Sequence, residues 1–132
     1  VADAHYEDPR LVGVYDLLDP DRSDLDVYVA LMGVLGAASV LDIGCGTGTF
    51  ACLLAQRGLV VVGLYPAAAS LEVAQTKPGA VRVRWVHDSS TAIPPMQVDV
   101  ATMTGNVAQV FVTDGDWMVA LKAINRALRP WQ

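Results

Sequence analysis

The chain has 132 residues, 53% of them hydrophobic and only 17% charged, with a formal net charge of −5. That length holds one domain with a modest core. An acidic chain without a Lys/Arg cluster lacks the basic face that phosphate neutralisation needs, which speaks against nucleic acid as a partner. No run reaches the roughly 18 uninterrupted apolar residues of a membrane span, so no membrane partner is expected. No basic stretch followed by an apolar one marks a secretory signal. The two cysteines, Cys45 and Cys52, match no zinc spacing, so no metal site is expected, and a reduced, cytoplasmic setting is the default.

Residues 1–9 are largely polar. Across 10–18, Leu11, Val12, Val14, Tyr15 and Leu18 recur at near-helical spacing and predict a short helix, stopped by the turn-rich Asp-Pro-Asp-Arg-Ser at 19–23. Asp24 is placed to cap a second helix, Leu25–Leu35, with Gly36 as its stop. A strand at Ser39–Ile43 leads into a glycine turn and then a helix over 49–57, ended by Gly58. The β-branched run 59–64 predicts a strand covered on both faces. Pro66 is expected to open a helix through Thr76, with Lys77-Pro78-Gly79 as a firm stop. Residues 81–86 alternate in their first half, as in a strand nearer the sheet edge. A loop at 89–95, a fourth strand at 98–103, a turn or short helix at 105–111 and an amphipathic helix over 116–128 complete the series. Strands and helices alternating at this spacing imply right-handed βαβ units and a parallel sheet, an α/β fold.

The run Ser-Val-Leu-Asp-Ile-Gly-Cys-Gly-Thr-Gly-Thr-Phe at 39–50 carries most of the functional information. Val40, Leu41 and Ile43 supply a short buried strand; Gly44, Gly46 and Gly48 let the backbone bend sharply and leave room for a ligand to approach. The helix that follows directs unpaired N–H groups at whatever lies over the turn.

With these residues on view the chain resembles the class I S-adenosylmethionine-dependent methyltransferases, most closely their small-molecule branch. Val-Leu-Asp-Ile-Gly-Cys-Gly-Thr-Gly (40–48), Val-Val-Gly-Leu (61–64) and Ala-Leu-Arg-Pro (127–130) carry the resemblance. It implies a Rossmann-like parallel sheet in the order 3-2-1-4 with flanking helices, and S-adenosylmethionine at the switch point. It also implies one domain, with 1–36 as a helical segment and 37–132 as the nucleotide-binding core. Gly44, Cys45, Gly46 and Gly48 would pass beneath the methionine and ribose, and Asp42 would help orient the amino group. Tyr65 and Pro66 stand at the ribose end. Asp88 and Ser89 would flank the adenine, and Met103, Thr104 and Gly105 would begin the substrate-facing wall. Asp42 has another reading, as an acceptor for N–H groups of the glycine turn.

Three departures from the family pattern stand out. Tyr65 occupies the place where an Asp or Glu usually accepts from both ribose hydroxyls; a phenol brings no charge. Ser89 falls where an acid usually sits beside the adenine, with Asp88 one place early. The family continues past Leu-Arg-Pro with further strands, whereas this sequence stops at Gln132. The C-terminal strands are therefore expected to be lacking, with the chain either a fragment or a homo-oligomer through an exposed strand-four edge.

Methyl transfer from a sulfonium needs alignment more than a fixed catalytic set, so no catalytic residue is assigned. His5 and His87 are the only histidines and the candidate bases, although His87 also suits the adenine-side loop. Tyr15, Asn106 and Gln109 are candidate substrate contacts. Tyr15 with Asp16 reads more readily as a buried phenol beside a solvated acid, and Asn106 equally as a helix cap or turn residue. Cys45 is a small turn residue or, at a helix N-terminus, a thiol of lowered pKa. A different class of reading, a degenerate module binding cofactor weakly or not at all, is favoured by Tyr65 and Ser89. A nicotinamide oxidoreductase would want a third glycine at 49, where Thr49 stands.

Overall fold

The computed structural model describes residues 8–12, 21–89, 92–104 and 113–130. Of the expected 10–18 helix, residues 10–12 are helical, the turn beginning one residue earlier at 9, and 13–18 fall outside the described residues, as does 105–111. Helix α1 runs Leu25–Leu35 and ends on Gly36, which takes the left-handed φ of 65° that closes the helix. Asp24 does not cap it. Its backbone is helical and its side chain makes no cap bond. The carboxylate instead faces the Arg22 guanidinium at 3.2 Å, and a turn enters the helix through Leu25 N–H on the Arg22 carbonyl.

Strand β1 is Ser39–Ile43, buried throughout. It is followed by α2, Thr49–Gln56, and by β2, Val60–Tyr65, whose middle four residues are buried. Helix α3, Ala68–Ala74, starts two residues later than Pro66 suggests and stops short of Thr76. Pro66 belongs to the crossing turn: its carbonyl accepts from the His87 Nε2–H at 2.8 Å, and Ala67 is still extended. Beyond Gly79 the chain makes a 3₁₀ turn, Ala80–Arg82, before β3, Val83–His87. Val81 therefore leaves the strand and is 95% exposed, because its backbone is spent on bringing the chain round to the sheet edge. Strand β4 is only Val100–Thr102. Its expected first residues bend away: Asp99 accepts from the Ala38 and Ser39 amides at 2.9 and 3.1 Å. Val98 forms a parallel bridge with Leu128. Helix α4, Asp114–Ala127, opens two residues earlier than expected because Thr113 Oγ1 accepts from the Asp116 amide at 3.1 Å.

The four strands are parallel, in the order β3-β2-β1-β4. On one face Leu25, Met32, Phe50, Leu54 and Ala55 of α1 and α2 pack on Val40, Val61 and Val83, with Tyr28 meeting Phe50 edge to face at 6.1 Å. On the other, Ile124 and Ala127 of α4 cover Leu41, Ile43, Val62 and Leu64. Each such fully buried Leu or Val contributes roughly 1.5–3 kcal/mol, so β1, with neighbours on both faces and both edges, anchors the fold. The chain leaves β1 for β2 on one side and returns from β3 to β4 on its other side, so the strand order reverses at β1, the kind of switch point beyond whose carboxyl end such sheets bind ligands.

Candidate functional site

The described residues singled out in sequence gather at the carboxyl ends of the strands. Gly44 follows β1; Tyr65 and Pro66 end β2; Asp88 and Ser89 follow β3; Met103 and Thr104 follow β4. Tyr15, Asp16, His5, Asn106 and Gln109 lie outside the described residues.

The turn at 44–48 is held from beneath. The Gly44 and Cys45 amides both donate to the Leu64 carbonyl at 2.9 and 3.1 Å, and the Gly48 amide donates to the Cys45 carbonyl at 2.9 Å. Gly46 has φ +56°, and a Cβ added to it would meet nothing within 4 Å. Among the described residues no side chain plugs the turn at that point. Helix α2 begins at Thr49 with no side-chain cap and no acidic residue in its first turn, so no carboxylate of that turn offsets its N-terminal dipole. An open backbone surface beside an uncapped helix start fits a ligand carrying an anionic or acceptor group.

Below the turn a row of four residues crosses the sheet in register: Trp85, Gly63, Asp42 and Thr102. The Trp85 indole fills the space that Gly63 leaves, and a Cβ there would lie 2.9 Å from the ring and 3.3 Å from Cys45 Sγ. The indole N–H donates to the Ala80 carbonyl at 3.1 Å. Asp42 is almost fully buried and accepts from the Thr102 hydroxyl at 2.9 Å. Burial pushes its carboxyl up to about 7, with the Thr102 hydrogen bond opposing. Its hydrogen-bond partner within the protein is thus a hydroxyl on the neighbouring strand. The β1–β4 register puts that hydroxyl opposite it. Cys45 is buried, and burial first, then the Asp42 charge, pushes its thiol well above the ordinary range. The direction is opposite to the lowering considered for a helix N-terminus, because burial of the thiol outweighs it.

His87 is exposed, and its ring is tied to Pro66. Asp88 Oδ1 accepts from the Ser89 amide at 2.9 Å, a local turn in an exposed loop. Lys77, read in sequence only as part of a helix stop, donates from Nζ to the Thr47 carbonyl at 2.6 Å. Nothing in the sequence pairs positions 30 residues apart, so this contact and the Asp42–Thr102 pair emerge only from the fold. A cavity of about 450 Å³ is lined by Ile93, Met96, Gln97, Ala123 and Arg126. It lies beside α4, and no residue of the glycine turn lines it. Among the described residues no group of three or more His, Cys, Asp or Glu side chains could hold a metal ion.

A family model described as a methyltransferase domain matches residues 40–131, from the first strand through the last helix. The chain belongs to the methyltransferase domain family. It is 34% identical to a ubiquinone biosynthesis O-methyltransferase of Leptothrix cholodnii, over 72% of this chain and 48% of that protein. The chain thus spans about half the length of that curated relative. Among solved structures it is similar to a TehB-like SAM-dependent methyltransferase from Corynebacterium glutamicum, with a TM-score of 0.73 and 23% identity, over 92% of this chain and 68% of that one. It is also similar to CalS10, an amino pentose methyltransferase from Micromonospora echinaspora with S-adenosylmethionine bound, with a TM-score of 0.78 and 24% identity, over 89% and 52% of the two chains. At those identities the likeness is one of fold: the Rossmann-like fold of the class I S-adenosylmethionine-dependent methyltransferases.

Proposed function

We propose that this methyltransferase-family protein binds S-adenosylmethionine across the 44–48 turn and transfers its methyl group to a small-molecule acceptor by in-line displacement. The observation that carries the reading is Gly46: a left-handed residue with no atom of the described residues against its Cβ position, in the turn that leads from β1 at the switch point of the sheet into a helix without a side-chain cap. When bound, the cofactor supplies the methyl group already activated on a sulfonium sulfur. The chain's own task is placement. The turn backbone around Gly44, Cys45, Gly46 and Gly48 would hold the methionine and ribose end. Tyr65 and Pro66 would border the ribose, Asp88 and Ser89 the adenine, and Met103 and Thr104 would start the acceptor wall. Asp42, buried against Thr102, would act from below by fixing the strand ends. Tyr15, Asn106 and Gln109 remain the proposed acceptor contacts.

A small acceptor is supported by the absence of a basic face and by the amino pentose activity in the name of one structural neighbour. One domain is proposed, 1–36 as its helical segment and 37–132 as its core. Self-association through the outer edge of β4 is part of the same proposal, since among the described residues that side carries only the Val98–Leu128 bridge.

Calorimetric titration with S-adenosylhomocysteine tests the reading; binding at micromolar concentration or tighter is expected, and silence at millimolar would reject it. Tyr65 favours a second reading, a module whose cofactor site has decayed. Replacing it restores the charge-assisted acceptor, so Tyr65→Asp is expected to tighten binding roughly ten- to a hundredfold, from about 1.5–3 kcal/mol of hydrogen bonding. No gain would show that the ribose contact is misplaced.

A further inference from the structure

The glycine turn lacks a conformational preference of its own, because glycine populates left- and right-handed backbone about equally, and α2 has no side-chain cap to fix its start. Something else must hold the peptide between Thr47 and Gly48. Its two ends are both bonded. The Gly48 N–H donates to the Cys45 carbonyl at 2.9 Å, and the Thr47 carbonyl accepts from Lys77 Nζ at 2.6 Å, the short length of a charge-assisted bond. With both ends held, the peptide cannot rotate without breaking one of them.

The lysine is itself presented on a braced loop. Gln56 Nε2 of α2 donates to the Pro78 carbonyl at 3.0 Å. Gly79 takes φ +88°, and a Cβ there would lie 2.9 Å from the Cys52 carbonyl and 2.8 Å from Gln56 Cγ. Cys52 Sγ–H reaches the Ala74 carbonyl at 3.9 Å. The loop after α3 is therefore fastened along the same helix that the glycine turn begins, and its ammonium is delivered to the turn from a fixed base. The charge is felt beneath the turn as well: it opposes the burial that raises the thiols of Cys45 and Cys52.

We propose that Lys77 is a positioning residue for the cofactor turn, its ammonium locking the Thr47–Gly48 peptide so that the Gly46 face stays open. It rests on the reading of that turn as the cofactor site. It touches the main chain of the turn and acts through it.

The test compares wild type with Lys77→Met, which keeps the stem and removes the charge, and with Lys77→Arg, which keeps a donor. In the ligand-free protein, the Gly48 amide of Lys77→Met is expected to exchange with solvent about tenfold faster, while amides of β1 are unchanged. The dissociation constant for S-adenosylhomocysteine is expected to rise by about tenfold, the scale of one hydrogen bond to a charged group. Lys77→Arg restores both. A role in stability alone would lower the melting temperature and leave affinity and Gly48 exchange as they were, which overturns the proposal, as does failure of the arginine to rescue. If wild type itself fails to bind S-adenosylhomocysteine, the cofactor reading falls, and the exchange rates of the ligand-free proteins still decide whether Lys77 locks the turn.

Discussion

At Gly46 the backbone stands at φ +56° and no atom of the described residues fills the volume a Cβ would take; two residues on, at Gly48, φ is +79° and that volume is held by Trp85, at 2.6 Å, and Ala74, at 2.7 Å. The upper face of the turn is kept clear, and the lower face is packed like a core. One residue type thus answers two demands, room for a ligand and close approach between a helix start and the sheet. The difference teaches that the spacing Gly-x-Gly records two constraints which mutation can separate. Packing beneath the turn sets its stability, and the clear face above sets what it binds.

The largest effect is expected on the packed side. Gly48→Ala places a methyl group against a rigid indole and another methyl, and in a left-handed backbone. Overpacking of this kind costs about 1–3 kcal/mol and the backbone about 1–2 kcal/mol more. A loss of about 4 kcal/mol in urea denaturation is predicted; a loss under about 1 kcal/mol would mean that Trp85 is not the pillar described.

The second effect comes from Asp42, one layer below. Its carboxyl is pushed from an ordinary 3.8 to about 7 in the folded protein. Between those values the folded chain keeps a proton that the unfolded chain has released. Stability from this group is therefore complete below about pH 4 and is lost as pH rises towards 7. The expected size is on the order of 3 kcal/mol across that window, after allowance for relaxation around the charge. Asp42→Asn, which can still accept from Thr102, should flatten the stability profile between pH 4 and 7 relative to wild type. Parallel profiles would show that Asp42 is not held protonated.

Much of this contrast was visible in sequence at the level of elements. Strand β1 and helix α1 stand at their expected bounds because their signals are local: an apolar run ended by glycine, and a helix stopped by Gly36. The order 3-2-1-4 followed from the family resemblance. The failures have a common cause in tertiary contacts. Pro66 reads as a helix opener, yet the His87 bond keeps it in the crossing turn. Val81 reads as a strand residue, yet the chain needs a 3₁₀ turn to reach the edge. Within the candidate site, the placement of the glycines and Tyr65 at the strand ends was legible from the motif. The underside was not: Asp42 meets Thr102 across 60 residues and Lys77 meets Thr47 across 30, distances at which periodicity carries no information.

The smallest change in stability should accompany the most telling change in binding. Gly46→Ala meets no neighbouring atom, so it should cost only about 1–2 kcal/mol for the left-handed backbone. Its methyl group, however, would project into the space assigned to the cofactor. Titrating wild type and Gly46→Ala with S-adenosylhomocysteine by calorimetry is the most direct measurement. Micromolar binding by wild type, weakened at least tenfold in a variant that remains folded, is the predicted result. Equal affinity in the two proteins would contradict it, because the ligand would then have to lie somewhere other than over the open face of the turn.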